Sequence, residues 1–332
     1  MKAIKRILGS MLALTIIMGV PQYVSANEMI TSNQEIIQIP KFVQVWGNVK
    51  EKDENRIHIK NSSNVNNDII LNISEETKII DAVSGLPVNI KDITGNETIY
   101  AYISPVMTLS LPPMTNAKVI MVNIPQDYAV PRYIEVESVN KNDDGSVTVT
   151  SEDGYLQATL DKDTNIFPYL TKNIVTIDNI KPGSTLVLWD RIEQGGIQTM
   201  QLPERVKIDK CLLMPYEYSG LIKASTNKLN INGDDINLNS NETPFMQEDK
   251  LMLPLKVIAE KLGYNVSINE NTDVITITKE GAKPYTVTIN NDMVNIEDTN
   301  YYLSSKTILK DGTIFVSSDL FNLAQNAKVI AE

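Results

Sequence analysis

The chain has 332 residues, with 30 Lys plus Arg against 41 Asp plus Glu, a net charge of -11, one Cys, one His and 42% hydrophobic residues. That length suits two or three domains with ordinary cores. The acid excess argues against nucleic-acid binding, which needs clustered Lys and Arg, and the lone His and Cys leave little for metal or nucleophile chemistry.

Residues 1–26 read as a secretory signal peptide: Lys2, Lys5 and Arg6, the apolar run Ile7 to Val20, then Val24-Ser25-Ala26 at a cleavage site after Ala26. A membrane anchor is the alternative. The run is shorter than the roughly 20 residues a span requires and is broken by Gly9, Gly19 and Pro21. Removing three cations leaves 27 Lys plus Arg against 41 Asp plus Glu, a net of -14. No later segment reads as transmembrane. Cys211 has no internal partner, so stability must come from core burial. Its setting, Cys211-Leu212-Leu213-Met214, suits an inert buried thiol.

The mature chain opens with an internal repeat. Val49, Ile57 and Ile59 recur 90 residues on as Val139, Val147 and Val149. Thr77, Ile79, Ile90, Ile93 and Thr98 recur 87 residues on as Thr164, Ile166, Ile177, Ile180 and Thr185. Residues 40–124 and 132–210 are thus two copies of a β-rich module, divided by the linker Pro125 to Pro131. Alternation in Ser146 to Thr150, a turn at Glu152-Asp153-Gly154 and a strand at Tyr155 to Leu160 give a hairpin, and Asp144-Gly145 marks another turn. Leu186-Val187-Leu188-Trp189 reads as a fully buried strand. The pattern predicts a small antiparallel barrel of the oligonucleotide- or oligosaccharide-binding type, a fold expectation that carries no function.

The final third mixes strands with helix. Leu229 to Leu238 is a hairpin around Asn232-Gly233. Pro254 begins a helix that Gly263 ends, with Leu255, Ile258, Ala259 and Leu262 on one face. Val266 to Ile268 and Val274 to Ile277 form a second hairpin, and Tyr285 to Ile289 continues as strand. Gly312 to Phe321 runs from strand into helix, with Ser317 or Ser318 as N-cap.

The run Leu251-Met252-Leu253-Pro254-Leu255, then Ile258-Ala259-Glu260, Leu262-Gly263-Tyr264, Val266 and the strand Gly312 to Val316, resembles the copper amine oxidase N-terminal-like, or stalk, domain over residues 217–332. Lys256 stands where that family usually has Arg, and Ile268 where a Trp is frequent. The stretches Thr171 to Asp178 and Ser104 to Thr108 resemble the β-rich regions that accompany this domain in secreted clostridial proteins of unknown function. The resemblance implies an α+β module remote from any copper centre. An oxidase of that name needs three His ligands and a precursor Tyr in an Asn-Tyr-Asp/Glu setting. This chain has His58 alone, and Asn300-Tyr301 is followed by Tyr302.

Other constellations reduce to structure. His58, between Ile57 and Ile59, reads as a solvated strand residue, and no Gly-x-Ser-x-Gly elbow accompanies it. Asp161-x-Asp163-x-Asn165 lacks the Gly and Glu of a calcium loop, Ile166 and Lys172 standing there instead. Asn269-x-Asn271-x-Asp273 reaches Glu280 but has Val274 at the Gly position. Both read as turns, while Asp143-Asp144 and Asp234-Asp235 leave room for a loose surface ion. The Asn-x-Ser/Thr triplets from Asn61, Asn72, Asn96, Asn241 and Asn265 reflect composition. The apolar stretch Tyr100 to Pro113 reads as a packed cover over the first barrel, with an exposed partner patch as the alternative.

The expected architecture is therefore mainly β with an α+β C-terminal domain: two tandem barrel-like modules, then a stalk-type sheet-plus-helix domain. No catalytic residue, cofactor or metal site is expected. The expected role is an exported non-enzymatic envelope protein, an interaction or spacer module. Its partner would be cell-wall glycan or another envelope protein, and its oligomeric state is left open. Two rivals stand. One is a secreted hydrolase working through paired carboxylates with raised pKa values. The other is a ligand-binding or inhibitory module built on the barrels with an aromatic-lined concave face, which must rely on Tyr if Trp189 is buried and only Trp46 remains.

Overall fold

The computed structural model describes residues 41–61, 63, 68–171, 173–191, 202–269 and 271–331. The expected signal peptide lies outside them. Among the described residues no helix is long and apolar enough to cross a membrane.

The first copy contains β1 (Val43–Lys52), β2 (Arg56–Lys60), β3 (Ile69–Asn72), β4 (Lys78–Asp81), β5 (Thr98–Ile103) and β6 (Met114–Val122). The second contains β7 (Arg132–Lys141), β8 (Val147–Ser151), β9 (Leu156–Leu160), β10 (Asn165–Pro168), β11 (Thr185–Asp190) and β12 (Glu204–Leu213). In the first copy β1 pairs with β2 and β5, β2 with β3, and β5 with β6, all antiparallel. A parallel β3–β6 pair closes the ring of five. Strand β4 lies parallel on the other side of β6. The second copy repeats every pairing, with β9–β12 as its parallel closure and β10 beside β12. Both are thus five-stranded barrels with a sixth strand appended.

The repeat extends to individual hydrogen bonds. Thr77 Oγ1 donates to Ala117 O at 2.7 Å, and its counterpart Thr164 Oγ1 donates to Ile208 O at 2.8 Å. Both Thr hydroxyls also accept from the backbone N–H three residues earlier, that of Ser74 or Asp161. Val49 faces Ile59 across the first sheet as Val139 faces Val149 across the second. A short 3-10 turn precedes β5 at Ile90–Asp92 and β11 at Ile177–Asn179.

Inward residues fill each barrel: Ile57, Ile59, Ile99 and Ile103 in the first, Val149, Ala158, Leu186 and Leu188 in the second. Outward residues build a further core between the barrels from Ile80, Ala82, Met121, Tyr133, Val187, Trp189 and Leu212, with Tyr100, Tyr102, Phe167 and Tyr169 packed against it. This explains why Leu186 to Trp189 is buried on both faces: even positions enter the barrel and odd ones the inter-barrel core. The two contributing surfaces are equivalent ones. Ile80, Ala82 and Tyr102 correspond to Phe167, Tyr169 and Trp189 at the 87-residue offset, and Met121 to Leu212 at 91. Trp189 Nε1 donates to Ala82 O at 2.7 Å, and Lys210 sits 3.9 Å above the indole while its ammonium donates to Val83 O.

The C-terminal region has three sheets and two helices around one core. Strands β13 (Gly220–Ser225), β14 (Lys228–Ile231) and β15 (Asp234–Asp235) form an antiparallel run, with Asn232 at φ 55° and Gly233 at φ 98° making the expected tight turn. Strands β16 (Phe245–Gln247) and β17 (Lys250–Pro254) lead into α1 (Leu255–Lys261). Its face of Leu255, Ile258, Ala259 and the adjoining Leu262 is buried, and Gly263 follows at φ 83°. Strands β18 (Asn265–Asn269), β19 (Val274–Thr278), β20 (Tyr285–Thr288), β21 (Met293–Ile296) and β22 (Thr299–Tyr302) form a meander. Strands β23 (Ile308–Lys310) and β24 (Thr313–Ser317) then lead to α2 (Asp319–Gln325) and β25 (Ala327–Ala331). Ser318 occupies the α2 N-cap but its hydroxyl makes no capping bond; instead the Asp319 carboxylate accepts from Ser304 N–H at 2.7 Å. Strand β25 returns to pair parallel with β13.

Candidate functional site

Two places stand out, a buried ion cluster and an exposed apolar loop. The cluster forms because β7 alternates. Ile134 and Val136 enter the second barrel, so Tyr133 and Glu135 point out of it. Glu135 is nevertheless buried, since the C-terminal module packs over it. Lys328 Nζ of β25 lies 3.0 Å from Glu135 Oε1, 2.8 Å from Glu152 Oε1 and 3.6 Å from Glu137 Oε2. Tyr218 OH donates to Glu135 Oε1 at 2.7 Å, and the Lys41 ammonium, from the chain entering the first barrel, pairs with Glu135 Oε2. All three modules therefore meet at one carboxylate. Burial pushes the Glu135 pKa up, but the hydrogen bond and charge of Lys41, the Tyr218 hydroxyl and Lys328 outweigh it and leave the carboxyl below its ordinary value. Burial opposes the Lys328 charge as well, and Glu152 and Glu135 reverse this, so its pKa is raised.

The loop joins β5 to β6. Strand β5 takes up the first residues of the expected cover, and Ser104 to Pro113 does not pack over the barrel. Leu109 is 102% and Leu111 96% exposed, with Val106 and Met107 also in solvent. The expectation of a packed cover is therefore corrected. Hydrogen bonds hold the loop in place of apolar packing: buried Thr115 anchors its base, and Thr108 and Ser110 bond along its surface. Thr108 N–H donates to Met114 O at 2.9 Å and Thr108 Oγ1 accepts from Met114 N–H at 2.8 Å. Thr115 Oγ1 lies 2.9 Å from both Ser104 O and Val106 O, and Ser110 Oγ donates to Pro112 O at 2.9 Å. The apolar side chains are left the outer surface.

Strand β5 also carries a row of cross-strand pairs with β1. Gln44 Nε2 donates to Tyr102 OH at 2.9 Å, Trp46 stacks on Tyr100 with centroids 5.8 Å apart, and Asn48 Nδ2 donates to Thr98 Oγ1 at 3.1 Å. Each pair is in register. The row holds a half-buried aromatic pair flanked by amide–hydroxyl pairs, with Tyr100 and Tyr102 also packed against the inter-barrel core, and Trp189, at 6% exposure, is withdrawn into that core.

The remaining sequence candidates sit apart from both places. His58 does point away from Ile57 and Ile59, but it is half-buried and 2.6 Å from Asp68, whose pKa is lowered first by that hydrogen bond. Solvation alone does not describe it. Asp161 forms a turn, accepting from Asp163 N–H at 2.9 Å, and its carboxylate is held by Arg191 at 2.7 and 3.0 Å. Arg191 is the chief reason the Asp161 pKa is lowered. Asn269 likewise accepts from Asn271 N–H at 3.1 Å in the β18–β19 turn. Cys211 is fully buried, and burial pushes its thiol up to about 12. A cleft of about 510 Å³ at one end of the second barrel includes Lys141, Asp161, Thr164 and Asp178, with Lys141 bridging to Asp178 at 2.9 Å.

Sequence reasoning missed Glu135 and Lys328. Their only signal is a charged residue in an apolar strand, Tyr133-Ile134-Glu135-Val136 and Ala327-Lys328-Val329.

The C-terminal module is the part with a known likeness. Residues 230–332 match the copper amine oxidase N-terminal domain. The matched domain leaves out β13, which pairs with its last strand, so the folded sheet begins before the match does. No curated protein matches the chain. The residues present do not fit copper: His58 lies in the first barrel, outside the matched domain, and is engaged by Asp68. Among the described residues no group of three or more His, Cys, Asp or Glu is placed to hold a metal.

Proposed function

We propose that this chain is an exported, non-enzymatic envelope protein in which two barrels and a stalk-type domain act together as an interaction and spacer unit. The observation that carries this reading is the joining of modules by buried contacts. The barrels share an apolar core, and the C-terminal module is tied to the second barrel through Lys328 and Glu135. Modules fixed in this way hold surfaces at set separations, as a spacer must. The likeness of residues 230–332 to a domain frequent in secreted bacterial proteins and the signal-like N-terminus support location outside the cytoplasm. Fractionation of the native host tests it: the expected result is recovery in the envelope or medium, and recovery only in the cytosol overturns it.

The row Gln44–Tyr102, Trp46–Tyr100 and Asn48–Thr98 favours cell-wall glycan as a partner, because aromatic faces with flanking amides and hydroxyls match the apolar and polar sides of a sugar ring. Purified cell wall should retain the chain, and Trp46→Ala should weaken retention several-fold. The carboxylate-hydrolase reading finds less support. Asp68, Asp81, Glu135, Asp144, Asp161 and Asp235 are all held below their ordinary pKa, whereas a general acid needs the opposite.

A further inference from the structure

We infer that the β22 edge of the C-terminal meander pairs antiparallel with β22 of a second copy of this chain, on a two-fold axis centred at Tyr301. The five-stranded sheet ends at β22, so one side of Thr299-Asn300-Tyr301-Tyr302 has no strand beside it. All four residues are exposed. Edges of this kind are ordinarily blunted by charge, Pro or a bulge. Elsewhere in the module β15 is Asp234-Asp235, β23 ends on Lys310, and β25 carries Lys328 into its ion cluster. Strand β22 has no charge, no Pro and an unbroken register with β21.

The phase of the hairpin decides which backbone groups are open. Glu297-Asp298 is a two-residue turn between the paired Ile296 and Thr299, and Leu303 N–H donates to Asp292 O at 2.7 Å. Thr299, Tyr301 and Leu303 therefore turn their N–H and C=O groups toward β21, while Asn300 and Tyr302 point theirs outward. Setting Tyr301 opposite its own mate places Asn300 opposite Tyr302 twice, which makes four backbone hydrogen bonds within the strand. Centring the pair on Asn300 or on Tyr302 makes only two.

Side chains and charge select a second copy as the occupant. Tyr301 lies opposite buried Val294 and is 40% exposed, so two Tyr301 rings would continue that face across the axis as a cross-strand aromatic pair. On the other face Asn300 Oδ1 accepts from Asn295 Nδ2 at 2.8 Å. Its own Nδ2 is left to meet the Tyr302 hydroxyl of the second copy, the amide–phenol pairing that Gln44 and Tyr102 already make. The same register carries the Glu297-Asp298 turn of each copy toward Ser304-Ser305-Lys306 of the other. Asp298 and Lys306 are exposed, and neither has an ion-pair partner among the described residues. Two-fold symmetry thus brings an open acid to an open base on both sides of the strand. A foreign strand would have to supply all of these matches itself.

The contact is small, so a dissociation constant on the order of 10⁻⁴ M is expected. It goes beyond the spacer reading and does not rest on it. Sedimentation equilibrium of the chain from Asn27 onward should fit monomer and dimer alone, because a two-fold contact stops at a pair. Tyr302→Pro deletes an N–H that serves no bond within the chain, a change an edge strand tolerates. It should weaken the dimer at least about tenfold, since two of the four backbone bonds go, and melt with the parent. Asp298→Lys and Lys306→Asp should each weaken the dimer several-fold and together restore it, which decides the matter should Tyr302→Pro melt early. A monomer at every concentration, a dimer indifferent to Tyr302→Pro in a folded variant, no rescue by the charge swap, or growth past the dimer overturns the inference.

Discussion

Lys328 Nζ and Glu135 Oε1 lie 3.0 Å apart with both side chains almost wholly out of solvent, so the final strand of the chain is fastened to the first strand of the second barrel by a buried charge pair. Removing one member leaves the other without its counter-charge. Lys328→Met should cost about 2–3 kcal/mol in urea unfolding, below the full penalty for an orphaned buried charge because Glu135 keeps Lys41 and Tyr218. Lys41→Met, whose head is partly in solvent, should cost under about 1 kcal/mol.

The same pair sets a pH dependence. Glu135 is held below its ordinary 4.5, so its contribution is present above that value and is lost as pH falls through the folded-state value. Lys328 is raised above 10.5, so its contribution is complete below 10.5 and lost only in strong alkali. Acid titration followed by near-ultraviolet circular dichroism should therefore show loosening below about pH 4.5, and Glu135→Gln should flatten that acid limb.

The joint between the barrels makes a sharper contrast. Gly85 sits at φ 78°, and a Cβ there would lie 3.0 Å from Phe167 Cζ and Trp189 Cη2, both aromatic rings of the second barrel. Gly145 has nearly the same backbone, φ 81°, in open space. Gly145→Ala should cost about 1 kcal/mol from backbone strain alone, and Gly85→Ala about 2–4 kcal/mol from strain plus overpacking. Equal losses in thermal melts would contradict the described inter-barrel packing.

Trp189→Phe removes the donor to Ala82 O and leaves that carbonyl unpaired in the inter-barrel core. A loss of about 1–3 kcal/mol is expected. Since the indole links the two barrels, the urea transition should broaden or split, with Trp46 fluorescence reporting the first barrel on its own.

Cys211 should resist an aromatic disulfide reagent at pH 8 in the native state, because its thiol is fully buried and its pKa is pushed up to about 12. Labelling should begin only across the unfolding transition. Rapid labelling of folded protein would refute the burial of this strand.

The parts of the fold readable from the amino-acid string are those set by neighbours along the chain. Asn232-Gly233 dictates its hairpin through positive φ values, Leu255 to Leu262 its helix through one apolar stripe, and the Thr77–Thr164 equivalence its duplication through a hydroxyl that both copies use alike. The parallel β3–β6 and β4–β6 pairs were not readable, since they join segments tens of residues apart with no turn between them. Glu135 was hidden for a related reason: alternation places it outside its own barrel, and only the later arrival of β25 buries it. At Ser104 to Pro113 composition misled, because apolar content was taken to mean burial whereas the loop is held by hydrogen bonds of Thr108, Ser110 and buried Thr115 and leaves its apolar side chains in solvent.

The equivalence of the two surfaces in the inter-barrel core limits how such a chain can grow. Each barrel presents to its sister the patch its sister presents to it, around Met121 on one side and Leu212 on the other. A contact of that kind closes on itself at a pair and cannot be extended by adding another copy, unlike a head-to-tail stack. Length beyond two barrels has to come from a module with a different joint, and the Lys328–Glu135 attachment is one.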